Sequence, residues 1–237
     1  MQLHNATQQE LANKIQLLKE KLSDEEIISL LEEDILKMDV SYISYIFCRY
    51  IHGANIKEHE KIIFKDKQLL NVVNWALYVE GADIDTCQDI VLHANDDSLD
   101  YYSVLLMFTK VKGADLKKIE DKFLKLNNPN GSYLFAKDVE GANIEAHEQI
   151  VAQSNNADLC AGFIKNVKGA NKKVLEQGAL KSNNILALNR FMNDIDDIDK
   201  KAFKERIKEL ENKSKILNKK LDFCYDVKRK IDDLLKK

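Results

Sequence analysis

The sequence predicts an all-α fold made of stacked helical repeats, that is, an α-solenoid. The main observation is a passage of Gly-Ala followed by Asn or Asp that recurs five times, with glycines 28, 32, 28 and 28 residues apart. The copies are Gly53-Ala54-Asn55, Gly81-Ala82-Asp83, Gly113-Ala114-Asp115, Gly141-Ala142-Asn143 and Gly169-Ala170-Asn171. A fixed period of this size is typical of architectures in which each unit leaves an apolar face that its neighbours cover. The composition agrees, because the chain has one proline in 237 residues and abundant Lys, Glu and Leu.

Each repeat is predicted to be a hairpin of two short helices. The glycine ends one helix in a left-handed conformation, and the Asn or Asp two residues later caps the next helix. Turns that begin with Asn follow 14 residues after four of the glycines, at Asn95-Asp96-Asp97, Asn127-Asn128, Asn155-Asn156 and Asn183-Asn184. The third unit is four residues longer between Asn95 and Gly113, which predicts one added turn in its second helix.

Apolar residues recur at fixed positions and extend the register to about six units over residues 25–196. Two ladders lie in the second helices: Phe47, Trp75, Met107, Phe135, Phe163 and Phe191, and Ile51, Val79, Val111, Val139, Val167 and Ile195. Two more lie in the first helices: Ile56, Ile84, Leu116 and Ile144, and Ile63, Val91, Phe123 and Val151. We expect these ladders to form the core between units.

The regions that flank the repeats are each predicted to be one helix. Residues 1–24 carry a single apolar stripe that suits an N-terminal capping helix, formed by Leu11, Ile15, Leu18 and Leu22. Residues 197–237 predict a long basic helix of coiled-coil type. Its seam alternates four and three residues apart at Phe203, Ile207, Leu210, Ser214, Leu217, Leu221, Cys224, Lys228, Ile231 and Leu235. Eight of these ten positions are apolar, as in a heptad repeat.

A column of polar residues recurs at the eighth position of successive units, and carboxylates in such a column could indicate metal or acid–base chemistry. It contains Glu32, Glu60, Gln88, Glu120, Glu148 and Glu176. Neighbouring units lie roughly 10 Å apart, too far to share a metal ion. We therefore expect each side chain to accept a hydrogen bond from backbone groups at an adjoining turn.

No catalytic, cofactor-binding or metal site is predicted. His59-Glu60 and His147-Glu148 lack the second histidine, four residues on, that a zinc-protease helix needs, since those positions hold Ile63 and Val151. We expect both histidines at the edge of the core. No nucleophile set or glycine-rich phosphate loop occurs elsewhere, so the sequence predicts a protein that is not an enzyme and has no cofactor.

The net charge of −3 is unevenly distributed. Residues 1–199 carry −10 and residues 200–237 carry +7. An acidic body favours a basic protein partner. The basic helix leaves alternatives open: Lys219, Lys220, Lys228, Arg229 and Lys230 could contact nucleic-acid phosphates. Alternatively, the seam residues Leu210, Leu217, Leu221 and Ile231 could pack against a second copy, the leading helix or the acidic body.

One surface position stands out for protein binding. The third residue before each unit end reads Tyr50, Tyr78, Lys110, Asp138 and Asn166. Tyr and Arg are enriched at binding hot spots, so Arg49, Tyr50 and Tyr78 are predicted to contact a protein partner. The alternative is two ordinary surface tyrosines.

Compartment and origin are indicated only by composition. No apolar stretch approaches the roughly 20 residues that span a bilayer, and the first residues lack a signal-peptide pattern. Four scattered cysteines without a CxxC pair suit a reducing cytoplasm. The Lys-rich, Arg-poor composition indicates an AT-rich bacterial or phage genome.

The repeats resemble short GADI/GANI-type helical repeats of uncharacterised proteins from low-GC bacteria and their phages. They are only distantly ankyrin-like, since the ankyrin Thr-Pro-Leu-His signature is absent and the period is 28. The resemblance covers about residues 25–196 and implies a fold only. The sequence thus predicts a non-catalytic protein-binding module. An inhibitor from a phage or mobile element that binds a basic, nucleic-acid-handling host protein is one instance, and a nucleic-acid-binding repeat protein is the alternative.

Overall fold

The computed structural model describes the backbone of residues 2–94 and 99–235, and the side chains of residues 9–94, 100–221, 224, 225 and 228. These residues form helices and no strand, which confirms the all-α class. The contacts divide the chain into two compact units, residues 1–126 and 127–237. Each unit is described by itself.

The first unit contains eight helices. They are α1 (Gln2–Lys19), α2 (Asp24–Met38), α3 (Ser41–Tyr50), α4 (Ile56–Asp66), α5 (Leu69–Tyr78), α6 (Ile84–Leu92), α7 (Leu99–Phe108) and α8 (Leu116–Leu126). The second helices of the hairpins form a row in which α3 packs on α5 and α5 on α7, while α2 packs on α4 and α6 on α8. Helix α1 covers α3, as a capping helix should, with Ile15 buried.

The second unit contains six helices. They are α9 (Pro129–Asp138), α10 (Ile144–Gln153), α11 (Ala157–Asn166), α12 (Lys172–Leu180), α13 (Ile185–Asp194) and α14 (Lys200–Leu235). Here α9, α11 and α13 pack in sequence, and α10 packs on α12. The start of α14 lies against α12 and α13.

Local sequence explains where the helices begin and end. The five repeat glycines all have positive φ, between 80° and 92°, as the left-handed position after a helix requires. Asn143 then caps α10, its side-chain oxygen accepting from the Ala146 N–H at 3.1 Å. The asparagines of the predicted turns also cap second helices, since Asn156 accepts from the Leu159 N–H at 3.2 Å. The turn predicted at Asn95-Asp96-Asp97 lies outside the described residues.

The ladders of the second helices form the core with two exceptions, Met107 and Val139, which are only half-buried. Phe47, Trp75, Phe163 and Phe191 are fully buried. In the third repeat, Phe108 is buried and Met107 is only half-buried, so the predicted ladder residue was wrong by one position.

The physical reason is the place where the third hairpin's second helix ends. Helix α7 ends at Phe108, five residues before Gly113, whereas α5 ends at Tyr78, three residues before Gly81. The helix therefore ends two residues earlier relative to the repeat glycine, which shifts the side chain that faces the core.

The ladders of the first helices divide into a buried one and an edge one. Ile63, Val91, Phe123 and Val151 are buried as predicted. The other ladder, at the first residue of each helix, is only half-buried at Ile56, Ile84 and Ile144, and Leu116 is 40% exposed. The side chains at the first residue of these helices therefore lie at the edge of the core.

The start of α14 continues the repeat register beyond the six predicted units. Asp197 stands 28 residues after Gly169 and has a positive φ of 49°. Asp199 caps the helix and accepts from the Ala202 N–H at 3.0 Å. Phe203 is fully buried and stacks on Phe191, with ring centroids 5.0 Å apart. Helix α14 therefore begins as the first helix of a further unit and then continues without a turn.

Candidate protein-binding surface

The polar column of the first helices fixes each hairpin to the next. Glu60 Oε1 accepts from the Asp83 N–H at 2.6 Å, and Glu32 Oε1 accepts from the Asn55 N–H at 2.6 Å. Gln88 makes two bonds to Asp115, accepting from its N–H at 2.8 Å and donating to its carbonyl at 2.9 Å. The Asn171 N–H donates to Glu148, and the Asp199 N–H donates to Glu176 at 2.7 Å. The predicted structural role of this column is confirmed, and the repeated bond keeps successive helices in register.

On the second helices of the first unit, an arginine lies among three tyrosines. The Arg49 guanidinium carbon is 4.3 Å from the Tyr78 ring centroid, 5.3 Å from that of Tyr50 and 5.8 Å from that of Tyr45. Arg49 Nη1 also donates to Tyr45 Oη at 2.6 Å. We call Tyr45, Arg49, Tyr50 and Tyr78 the Arg49 cluster. The structure brings together all three residues that the sequence predicted and adds Tyr45.

The repeat explains this geometry. Tyr45 and Arg49 are four residues apart on α3, so they share a helix face. Tyr78 is the counterpart of Tyr50 one unit later, on α5, which packs beside α3. Arg49 therefore spans the gap between two hairpins and rests on the tyrosine of the second.

The Arg49 cluster lines a shallow cleft of about 280 Å³ between α1, α3 and α5. Gln9 and Ala12 of α1 and Asn74 of α5 complete its wall. Tyr45 lies buried at its base, and burial raises the pKa of its phenol, while the charge of Arg49 acts in the opposite direction. Tyr78 is 51% exposed and Arg49 is exposed, so both present contact area to a partner.

Arg49 has no acidic partner among the described side chains, unlike two other arginines. Arg190 makes two bonds to Asp158, at 2.9 and 2.6 Å, and Arg206 pairs with Glu209 at 2.8 Å. Arg49 is instead held by aromatic faces, and each such contact contributes about 0.5–1 kcal/mol at an exposed site. Guanidinium N–H donors not used by Tyr45 therefore stay open to an incoming acceptor.

The Arg49 cluster consists of residue types that are enriched at protein-binding hot spots. Tyr and Arg combine large contact area with directed donors, and a side chain already fixed loses less entropy on binding. The sequence pointed to three of the residues. Tyr45 could have been found from its i, i+4 spacing to Arg49, whereas Gln9 and Asn74 carry no sequence signal.

The predicted residues of the C-terminal helix whose side chains are described fall into two groups, packed and exposed. Leu210 packs against the core of the second unit with Ile207. Leu217 and Leu221 are 65% and 52% exposed, and every residue from 211 to 221 is exposed. Lys219, Lys220 and Lys228 are exposed as well. Arg229, Lys230 and Ile231 belong to α14, but their side chains lie outside the described residues.

One helix accounts for half of the net charge of −10 on residues 1–199. Helix α2 has six acidic residues and one basic residue, a net charge of −5. Glu25, Glu26, Glu33 and Asp34 are exposed on it. A basic partner surface would meet the strongest attraction here.

His59 and His147, which precede Glu60 and Glu148 of the polar column, lie within the core and not at its edge as expected. His59 and His147 are both fully buried and lie against Phe47 and Phe135, with ring centroids 5.5 and 5.0 Å apart. Burial lowers the pKa of His59, although Glu32, 3.4 Å from its Nε2, acts in the opposite direction. Both rings fill positions that are apolar in other hairpins.

Burial raises the pKa of the Cys87 and Cys160 thiols to about 12, so both stay protonated and unreactive. No group of His, Cys, Asp or Glu within the described residues could hold a metal ion. None of the described helices is long and apolar enough to cross a membrane.

No family model, curated protein or solved structure matches the chain.

Proposed function

We propose that this chain is a non-catalytic helical-repeat module that binds another protein through the Arg49 cluster. The observation that carries the proposal is that Arg49 is fixed over three tyrosine rings without an acidic partner among the described side chains. A surface arginine in a stable protein usually pairs or stays solvated. One that is held in place with open donors beside the exposed ring of Tyr78 has the composition of a hot spot.

We also propose that the hairpins form one solenoid of six units between residues 25 and 196, with a capping helix before and a long helix after. Support comes from the near-constant spacing of the repeats. It also comes from the hydrogen bonds that join polar-column side chains to the backbone of the next hairpin. A preformed surface of this kind binds with little ordering cost.

The partner we favour has a basic surface. The charge of −10 on residues 1–199, half of it on α2, would speed association with such a protein. An inhibitor of a nucleic-acid-handling enzyme fits this charge, because the channels of such enzymes are basic. It stays a prediction that rests on charge and composition.

The experiment compares tagged full-length chains in a pull-down from bacterial lysate, with and without nuclease. The wild type, Arg49→Ala and Tyr78→Ala are tested beside Arg190→Ala, an exposed arginine that is satisfied by Asp158. We expect a stoichiometric protein partner that resists nuclease and is lost from the Arg49 and Tyr78 variants but not from Arg190→Ala. Loss of about 2 kcal/mol, or roughly thirtyfold in affinity, is typical for such anchors.

Two results would contradict the proposal. A partner that binds all variants equally would show that the Arg49 cluster is not the contact surface. Binding that does not change with salt would remove the electrostatic part, since attraction between α2 and a basic partner weakens as ions screen it.

Nucleic-acid binding by α14 is the second candidate, favoured by the exposure of Lys219, Lys220 and Lys228. Its signature is different: recovery only of nuclease-sensitive material, and an affinity that falls steeply with salt. Residues 211–235 have seven basic and five acidic residues, so their net charge of only +2 predicts weak binding.

A further inference from the structure

The outer segment of α14, residues 211–235, carries an apolar stripe that the second unit does not cover. Helix α14 has 36 residues and is about 54 Å long. Its first turns are anchored by Phe203, which is fully buried, and by Leu210. Beyond Leu210 the helix leaves the core, and Ile216, Leu217 and Tyr225 are 56%, 65% and 63% exposed.

An isolated segment of this kind is not stable by itself. Helices in water gain most of their stability from packing an amphipathic face, and this segment buries none of its described apolar residues within its own unit. Its seam keeps the 4-3 spacing from Leu210 to Leu235, about three and a half heptads, the length at which a coiled coil is indicated.

We propose that the outer segment pairs with the same segment of a second copy of this chain as a two-stranded coiled coil. A second copy supplies the same 4-3 spacing at every layer, and two-fold dimers are the commonest assemblies of identical chains. Charge does not oppose the pairing. The +7 of residues 200–237 lies mostly outside the outer segment, which carries only +2.

The register positions define the layers of the pair. In heptad terms Ser214, Leu221 and Lys228 are a positions, and Leu217 and Cys224 are d positions. Parallel strands would set Lys228 against Lys228 of the second copy, and fully overlapping antiparallel strands would set it opposite Leu217. In both orientations Leu217, Leu221 and Cys224 lie in the seam.

The dimer has a functional consequence that rests on the proposed function. Each assembly would present two Arg49 clusters, so a partner with two sites would be held by both, and its release would slow by roughly a hundredfold or more. The pairing itself does not depend on that function, and the mass measurement below tests it without any partner.

The first test is the mass of the full-length chain by light scattering after size-exclusion chromatography. We expect twice the monomer mass of 27.2 kDa for the wild type. Leu217→Glu combined with Leu221→Glu should halve it, because charges at a and d positions cannot be buried, while Glu keeps helix propensity. Leu186→Glu, at a leucine that is 70% exposed outside α14, should leave the dimer intact. A wild-type mass of 27.2 kDa, or a dimer that survives the double substitution, overturns the proposal.

The second test locates the contact through Cys224, which is exposed. Cys224 occupies a d position close to the centre of the outer segment, so pairing brings it near Cys224 of the second copy, and a short bis-maleimide should join the two wild-type chains. The control is Cys224→Ser combined with Lys219→Cys, which moves the thiol to an outward f position and should cross-link far less. Equal cross-linking of both, or none in the wild type, contradicts the proposed seam.

Discussion

Glu60 on α4 accepts the backbone N–H of Asp83, 23 residues later, at 2.6 Å, and the same oxygen accepts Trp75 Nε1–H at 3.1 Å. One carboxylate therefore joins the cap of the next hairpin to the fully buried tryptophan of its own. The bond to the following cap recurs at Glu32, Gln88, Glu148 and Glu176, so it is the repeating polar link of the fold.

The first prediction removes this link. Glu60→Leu leaves the Trp75 indole N–H buried without an acceptor and frees the Asp83 N–H, so we expect a loss of about 2–3 kcal/mol in the free energy of unfolding. Glu60→Gln should stay within about 0.5 kcal/mol of the wild type, because Gln88 accepts the same bond in the next hairpin.

The measurement is urea unfolding followed by circular dichroism and by the fluorescence of Trp75, the one tryptophan of the chain. Equal stabilities for the Leu and Gln variants would show that the column fills space and contributes no hydrogen bond.

Much of this fold could be predicted from the sequence because the same capping and core residues recur in successive repeats. Glycines at positive φ, Asn and Asp caps and the buried Phe47 and Phe163 recur at one spacing, so each copy supports the others. Predictions failed where the period breaks. Met107 was chosen by counting across an insertion, and the structure buries Phe108 instead.

The start of α14 was missed for a related reason. Asp197 stands where every earlier repeat has its glycine, so the Gly-Ala motif is absent there although Asp199 and Phe203 keep the register. The Arg49 cluster was predicted only by residue type. Its geometry depends on the rotamer of Arg49 and on the approach of α5, which no spacing specifies.

The second prediction concerns pH and His59. Burial lowers the pKa of His59, so the folded state holds the ring neutral where the unfolded chain, with a pKa of about 6.5, already takes up a proton. Above about pH 6.5 this difference has no effect. As the pH falls below that value, the unfolded state binds more protons, and stability decreases until the folded pKa is reached.

The test replaces the ring by the residue that the repeat uses elsewhere. His59→Leu matches Leu175, which is fully buried at the same position of α12, so it should fold with a stability within about 1.5 kcal/mol of the wild type at neutral pH. Between about pH 7 and pH 5 the variant should lose less stability than the wild type. Equal slopes for His59→Leu and the wild type would contradict the assignment.

The third prediction uses two glycines inside helices of the second unit. A Cβ on Gly178 would lie 2.5 Å from the Ala152 carbonyl oxygen, a backbone atom that cannot move away alone. Gly178→Ala should therefore separate α12 from α10 and destabilise the unit by about 1–3 kcal/mol.

Gly162 gives the matched control. A Cβ there meets the Tyr133 ring at 3.6 Å, an ordinary contact, so Gly162→Ala should stabilise α11 by about 0.5–1 kcal/mol. Hydrogen exchange of peptides from residues 127–210 measures both. If the two substitutions shift protection in the same direction, the close approach of α12 to α10 is wrong.

The last prediction restores the glycine column. Asp197 has a φ of 49°, at the position where five earlier units place glycine at φ of 80–92°. An L-residue in this region is strained by about 1–2 kcal/mol, less for Asp than for most residues, whereas glycine is not. Glycine also gains entropy when unfolded, which offsets part of the benefit. Asp197→Gly should therefore raise the stability of the second unit by a few tenths to about 1 kcal/mol.

Asp196→Gly is the control for this change, since it removes the same charge one residue earlier, where φ is not positive. It should lower stability through the unfolded-state entropy alone. Hydrogen exchange at the start of α14 measures the difference. Protection of the backbone amides of Phe203 and its neighbours depends on the turn that positions the start of α14 against the core. A gain in both variants would mean that charge near the start of α14, and not the left-handed backbone at Asp197, determines the effect.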